Sequence, residues 1–325
     1  MWLSMDWGNS VFRLHAVEEE RPPRIRWSHR TRYGAQDAWK AWKRDPRGRT
    51  QAQALRAALA RLIFDALKEH GVSPEGLDAV VSGMACSSIG IGSLPYARCP
   101  FPLDGSALIH RRFPADAALA MSLHVVSGLC DENTVVRGEE TLLVGLHALD
   151  PDRFREPVTV VMPGTHSVHV AVERGVAQSA TTFMTGELFG LLRRESILSQ
   201  SVHEDPLSDE DADGDAFGAG VEAAQRDGAL RHLFRVRARD LLEHRNRHEN
   251  TCFLSGLLIG AEGADLARRR VERVLLACGE ATSVLYRRAF ARCGIPQVRP
   301  VPPRELDEAL VAGQSLVREG SADGR

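Results

Sequence analysis

The stretch Leu3-Ser4-Met5-Asp6-Trp7-Gly8-Asn9-Ser10-Val11-Phe12-Arg13-Leu14 reads as a short strand carrying one acid, a turn of Gly, Asn and Ser, and a second strand that returns with Arg13. Met1, Leu3 and Met5 alternate with other residues as one apolar side of a strand. The Gly8-Asn9 pair directly after Asp6 is the strongest hairpin cue in the first fifty residues. An acid held at such a turn beside free backbone N–H groups suits a magnesium-bound phosphate, the acid meeting the metal or its waters and the amides meeting phosphate oxygens. The same residues also read as a plain structural turn, so the rest of the chain has to decide.

Downstream, Glu18 to Arg32 is charged and contains Pro22-Pro23, which suggests a solvated turn leading to another strand. From Gln51 to His70 the residues Leu55, Leu59, Leu62, Ile63, Ala66 and Leu67 recur at helical spacing, and Gly71 is a natural stop. Leu77 to Met84 reads as a buried strand, and strand, helix, strand begins an α/β layer. The loop-rich run from Ala85 to Asp104, with Ser87 and Ser88, follows the C-terminal end of that strand, where open α/β sheets place ligands. His124 to Cys130 reads as another strand. Val135-Val136-Arg137-Gly138-Glu139-Glu140-Thr141 opens a helix over Thr141 to Leu149. Its two glutamates read either as ordinary stabilisers of the helix dipole or as a general base at the mouth of a cleft.

Pro157 to Val172 repeats the opening pattern: an apolar strand from Val158 to Met162, the turn Pro163-Gly164-Thr165-His166-Ser167, and a returning strand from Val168. Two such hairpins about 150 residues apart imply duplicated domains, not a tandem array. His166 and His169 point to opposite faces of an extended strand, which argues against a shared metal. Thr185 is the expected N-cap of a helix running to about Leu198. The acidic run from His203 to Asp215 resembles the start of a calcium loop, but its twelfth position is Gly220 where a bidentate Glu is needed, so it reads as a solvated loop. Helices are expected over Phe217 to Asp227, Val236 to Arg245 and Cys252 to Gly260. Val274 to Glu280 reads as a strand ending in Gly279, followed by a helix from Ala281 to Cys293; packing is the favoured reading of that glycine, and close approach of a nucleotide the other.

The chain has 325 residues, 43% hydrophobic and 26% charged, with 41 Lys plus Arg against 43 Asp plus Glu. This describes a globular protein of two domains, divided at 1–150 and 151–325, with no basic field for nucleic acid. No apolar run is long enough to span a bilayer and no signal-peptide core is evident, so a cytoplasmic protein with no membrane association is expected. The six cysteines are scattered without a C-x-x-C pair, which argues for buried free thiols and against disulfides or zinc.

Taken together, the acid-bearing hairpin, Arg137-Gly138-Glu139-Glu140-Thr141, Pro163-Gly164-Thr165-His166-Ser167, Thr181-Thr-Phe183-Met184-Thr185-Gly186-Glu187-Leu188-Phe, Leu254-Ser255-Gly256-Leu-Leu-Ile-Gly260 and the late strand-Gly-helix resemble the 2-dehydro-3-deoxygalactonokinase family of the actin-like ATPase and sugar-kinase superfamily. The resemblance runs from about Met5 to Gly313. It implies an α/β fold of two ribonuclease-H-like domains around a central cleft, using ATP and Mg2+ to phosphorylate a 2-keto-3-deoxy sugar acid, foremost 2-dehydro-3-deoxy-D-galactonate. By superfamily order Glu139 is the catalytic base, with Glu140 as its alternative, and Asp6 holds the phosphates through magnesium. Gly8, Asn9 and Ser10 form the first phosphate loop and Gly164, Thr165, His166 and Ser167 the second. Gly279 and Glu280 lie on the nucleotide side; Ser87 and Ser88, with Arg13 or Arg137 as a carboxylate fork, lie on the sugar side.

Three departures from the family pattern stand out. Asn9-Ser10 replaces the usual Thr-Thr/Ser, Val168 replaces a usual Lys after Thr-His-Ser, and the Cys86 to Pro102 loop differs. Val168 keeps open a second reading, a catalytically weak nucleotide or sugar sensor, and the loop keeps open a kinase of a different sugar. The oligomeric state is undetermined by sequence, a homodimer being one option.

Overall fold

The computed structural model describes residues 1–116 and 119–322, apart from the side chains of Asp213, Ser321 and Ala322. The chain divides into two compact units. Met1–Arg155, Glu173–Ala180 and the segment from Arg304 onward form unit 1; Glu156–Val172 and Thr181–Pro303 form unit 2. The sequence expectation gave everything after residue 150 to the second domain. The structure returns the turn and most of the returning strand of one hairpin, Glu173–Ala180, and the C-terminal helix to the first.

Unit 1 contains β1 (Trp2–Trp7), β2 (Phe12–Glu18), β3 (Arg24–Thr31), α1 (Ala35–Arg44), α2 (Gln51–Glu69), β4 (Asp78–Gly83), β5 (Ala97–Arg98), β6 (Phe101–Pro102), β7 (His110–Phe113), β8 (Ser122–Val126), β9 (Leu129–Asp131), β10 (Thr134–Val136) and α3 (Glu139–Leu149). Its main sheet has the order β3-β2-β1-β4-β8-β7. The first three strands form an antiparallel meander, and β4 and β8 add in parallel. Leu3, Met5 and Trp7 pack into the core with Leu55, Leu59 and Ile63 of α2, as the sequence periodicity requires. Trp2 is buried too, with Val17, Val80 and Val126, under Val311 and Val317. Those two valines belong to the C-terminal helix, so β1 is covered on both faces and its one-sided apolar reading was incomplete. The segment read as one strand over His124 to Cys130 is two, β8 and β9, parted at Ser127 and Gly128.

Unit 2 contains β11 (Val158–Met162), β12 (Ser167–Glu173), the end of β13 (Val176–Phe183), whose residues up to Ala180 are counted in unit 1, α4 (Thr185–Arg194), α5 (Asp209–Asp213), α6 (Asp215–Asp227), α7 (Ala229–His232), α8 (Arg235–Glu243), α9 (Arg247–Arg268), β14 (Arg273–Leu276), α10 (Glu280–Arg292) and β15 (Gln297–Pro300), after which α11 (Pro303–Ala322) returns to unit 1. The strand order β13-β12-β11-β14-β15 repeats that of β3-β2-β1-β4-β8, again with an antiparallel hairpin followed by two parallel strands. This is the ribonuclease-H-like arrangement, built twice.

Three local expectations are revised. Helix α4 stops at Arg194 and a short 3-10 turn covers Ile197–Gln200. The acidic run contains a helix, α5, closed by a Ser208/Asp211 capping box, so part of it is not a loop. Helix α9 extends over 22 residues. Its small residues do allow close packing: a Cβ on Gly256 would lie 2.1 Å from the Phe217 carbonyl oxygen of α6.

Candidate active site

In unit 1 the register of β1 places Asp6 opposite Arg13 on β2 and beside Ser82 on β4. An opposite-charge pair across a strand is the favourable choice here, and Arg13 Nη2 donates to Asp6 Oδ2 at 2.7 Å. The Asp6 side chain is 17% exposed. Two glycines crowd its other oxygen. Gly83 has φ +89° and a Cβ there would sit 2.9 Å from Asp6 Oδ1; Gly138, with φ +103°, would place one at 3.5 Å. Both positions need the left-handed region that only glycine enters cheaply. Gly138 is also the residue before α3, so the turn that starts this helix is pressed against Asp6.

The two glutamates at the start of α3 have different surroundings. Glu140 is fully buried; its Oε2 accepts from the Gly138 N–H at 2.8 Å and its Oε1 from the Thr141 hydroxyl at 2.8 Å. Glu139 is half-buried and accepts the Arg137 N–H at 2.8 Å through Oε2. Burial pushes the Glu139 carboxyl up to about 7, and the charge of Asp6 adds to that rise. Burial and then the charge of Glu139 push Glu140 up to about 8. Helix α3 is held from behind by α11. A Cβ on Gly145 would meet the Ala309 oxygen at 1.6 Å, and one on Gly313 the Thr141 oxygen at 2.2 Å. Gln314 of α11 bonds the N–H and C=O of Met5 and the hydroxyl of Ser82, which in turn donates to Thr141. One buried amide therefore ties β1, β4 and α3 together.

The two hairpins are braced alike. In unit 1 the N–H groups of Ala35 and Gln36, in the first turn of α1, donate to the carbonyls of Gly8 and Asn9 at 2.9 and 3.2 Å. In unit 2 the Glu187 N–H, in the first turn of α4, donates to the Thr165 carbonyl at 2.8 Å. A glycine permits each approach: a Cβ on Gly34 would be 1.9 Å from the Asn9 oxygen, and one on Gly186 would be 2.2 Å from the Gly164 oxygen.

Behind the second hairpin lies Glu262 of α9, 0% exposed. Ser167 Oγ and His169 Nε2 each approach Oε2 at 2.7 Å, Tyr286 Oη donates to Oε1 at 2.7 Å, and the Thr185 hydroxyl donates to Oε1 as well. Four donors from β12, α4 and α10 converge on one carboxylate. Burial and the Glu262 charge hold the Tyr286 phenol well above its ordinary range. Thr185 is thus not the N-cap expected from sequence: Met184 occupies that position without a side-chain bond, because the threonine hydroxyl is turned inward to Glu262.

The model of the family described as 2-keto-3-deoxy-galactonokinase matches residues 6–315. The chain belongs to that family. It is 33% identical over 255 residues to the 2-dehydro-3-deoxygalactonokinase of Escherichia coli K12, covering 76% of this chain and 77% of that protein. It is 32% identical over 323 residues to DgoK1 of Rhizobium meliloti, covering 97% and 95%. The crystal structure of a Sinorhizobium meliloti protein assigned as a 2-dehydro-3-deoxygalactonokinase superposes with a TM-score of 0.78 at 27% identity, over 98% of this chain and 99% of the other. This chain is accordingly an ATP-dependent phosphotransferase with an alcohol group as acceptor.

For a member of this kinase family, the remaining sequence-derived site residues fall as follows. The Gly8 N–H is spent on the Val11 carbonyl at 2.9 Å, so it is not a free amide, while Asn9 is half-buried and Ser10 exposed. Ser167 is buried and its hydroxyl is committed to Glu262, whereas Gly164, Thr165 and His166 reach solvent. His166 Nε2 pairs with Glu187 Oε2 at 2.6 Å. Val168 is buried within β12, opposite Met162. Gly279 caps α10 with nothing within 4 Å of where a Cβ would stand, so the packing reading of this glycine fails; Glu280 beside it is exposed. Ser87 is buried, donating to the Met84 carbonyl at 2.8 Å, and Ser88 is exposed. The Arg137 guanidinium bonds the Tyr96 hydroxyl and lies 5.2 Å from that ring. The Nε atoms of Arg13 and Arg137 are buried with no acceptor among the described residues.

Sequence reasoning missed Glu262, Gln314 and α11. Glu262 sits in the continuation of a run read only for its small residues, and α11 lies beyond the last element that was delimited. The regular apolar positions Ala309, Leu310, Val311 and Val317 could have exposed it. Among the described residues, no helix is long and apolar enough to cross a membrane.

Proposed function

We propose that this chain transfers the γ-phosphoryl group of ATP to a hydroxyl of 2-dehydro-3-deoxy-D-galactonate, with Glu139 as general base. The observation that carries the reading is the state of Glu139. It is a half-buried carboxyl at the start of α3, raised to about 7 and held by the backbone N–H groups of Arg137 and of Glu139 itself, so near neutral pH its basic form is accessible and strong enough to take a hydroxyl proton. Glu140 is the weaker candidate because both of its oxygens are engaged inside the protein.

Asp6 suits Mg2+: it is a hard oxygen donor, still reachable by solvent, and Mg2+ commonly takes one or two carboxylates together with phosphates and water. When bound, the ion would neutralise charge on the transferring phosphates. Asn9 and Ser10 in unit 1, and Gly164 to His166 in unit 2, are the proposed phosphate contacts. Gly279, left open at the entry to α10, with Glu280 is proposed for the nucleoside. The guanidinium of Arg13, whose side chain is 43% exposed, or that of Arg137 is proposed as the fork for the substrate carboxylate. Ser88 is the more accessible of the two serines proposed for the sugar. Catalysis would then rest on positioning and charge stabilisation more than on covalent chemistry.

The test is ADP release followed over a panel of sugar acids and neutral sugars. Turnover fastest with 2-dehydro-3-deoxy-D-galactonate is expected. Absence of turnover with every member, in protein that is still thermally stabilised by ATP, would reject the kinase reading in favour of a sensor.

A further inference from the structure

Unit 2 carries a cluster, well separated in sequence from the hairpins, that the kinase reaction does not use. His248 and Cys252 stand one turn apart in the first turns of α9, the i, i+4 spacing that puts two side chains on one face. Asp211 of α5 faces them. One ligand atom from each, a carboxylate oxygen, an imidazole nitrogen and Sγ, lie within 4.8 Å of one another. His248 Nε2 meets Asp211 Oδ1 at 2.5 Å. The other Asp211 oxygen accepts from the Ser208 N–H and hydroxyl at 2.7 and 3.0 Å, which fixes the carboxylate and aims Oδ1 at the cluster. Cys252 is buried while His248 is exposed, so the group has an apolar floor and an open side.

We infer that Asp211, His248 and Cys252 form a binding site for a zinc-class divalent cation. A thiolate, an imidazole and a carboxylate are the donors zinc takes, whereas Mg2+ and Ca2+ take oxygen alone. Two negative ligands and one neutral ring balance the ion's charge, and water or another external donor completes four-coordination. The support around these ligands is also built. The His203 ring stacks on His248, its Nε2 lying 3.0 Å from His248 Nδ1, and Asp205 lies beyond it, its Oδ2 3.6 Å from His203 Nδ1. His203 Nδ1 here accepts the Asp205 N–H at 3.0 Å. With the ion on His248 Nε2, the His248 Nδ1–H donates to His203 Nε2, and the His203 proton moves to Nδ1, which gives up that N–H and turns to the Asp205 carboxylate. Both rings stay neutral, and the proton released is that of the Cys252 thiol. Such a carboxylate-backed histidine behind a ligating histidine orients the ring and raises its basicity.

The ion would join α5 to α9. Binding the folded protein alone, it would raise thermal stability with the logarithm of its concentration above Kd.

The experiment titrates Zn2+ into tag-free, full-length protein by calorimetry in the presence of excess Mg2+, and repeats it with Cys252→Ser, His248→Gln and His203→Gln. The expected result is one tightly bound zinc per chain and a thermal midpoint that chelator lowers. Affinity should fall at least ~100-fold in the first two variants and ~10-fold or more in the third. Cobalt(II) should show a thiolate charge-transfer band that Cys252→Ser abolishes. Absence of stoichiometric zinc binding, or binding unchanged in Cys252→Ser and His248→Gln whose far-UV spectra match the parent, would overturn the proposal.

Discussion

Glu139 and Glu262 are both carboxylates removed from water, one in each unit, and they are built for opposite ends. Glu262 is completely buried and receives four donors; Glu139 is half-buried and is held by backbone N–H groups, that of Arg137 and its own. A carboxylate with all its lone pairs engaged is a fastener, because each donor would cost free energy if released. One left short of partners beside another acid has its charged form destabilised and is ready to take a proton. Unit 1 spends its burial on reactivity, and unit 2 spends it on fixing the hairpin and the helix that braces it.

Glu139→Gln should break the reactive side of this contrast most visibly. Turnover should fall by ~10² to 10⁴-fold with ATP affinity nearly unchanged, measured by steady-state kinetics and nucleotide titration. Glu262→Ala should break the fastening side. It strands four buried donors at about 1–3 kcal/mol each where they cannot reorient, so a loss on the order of 4 kcal/mol is expected in urea unfolding, with no change in the pH dependence of turnover.

A smaller effect is expected at the α3–α11 contact. Gly145→Ala forces a methyl into the Ala309 carbonyl and should cost about 1–3 kcal/mol, while lowering turnover through displacement of α3. Stability should also depend on pH. Glu139 and Glu140 titrate in the folded chain near 7 and 8, above the ordinary 4.5. The folded state thus binds more protons than the unfolded state between these values, and stability falls as pH rises through them. Glu140→Gln should flatten the decline in thermal midpoint between about pH 5 and 8, and an unchanged slope would refute this origin.

Much of this was legible from residues alone. Both hairpins, the helix at Gln51, the strands at Leu77 and Val274 and the doubling of the domain follow from local periodicity and turn chemistry, which act over a few residues. What escaped is non-local. Glu262 acquires its meaning from Ser167, His169, Thr185 and Tyr286, which sequence separates by up to 95 residues. The return of α11 to unit 1 depends on Gln314 meeting Met5, 309 residues away. Thr185 was misread because an inward bond to a distant carboxylate won over the local cap. The Asp211, His248 and Cys252 cluster was hidden for a related reason, since a C-x-x-C search looks for ligands from one segment.

The central claim is that Glu139 is the base, and the pH dependence of kcat on 2-dehydro-3-deoxy-D-galactonate at saturating ATP tests it most directly. The account predicts a rate that climbs tenfold per pH unit below about 7 and levels above it, with that acid limb absent from the residual activity of Glu139→Gln. A profile flat through pH 7, or the same limb persisting in a fully active Glu139→Gln enzyme, would contradict it.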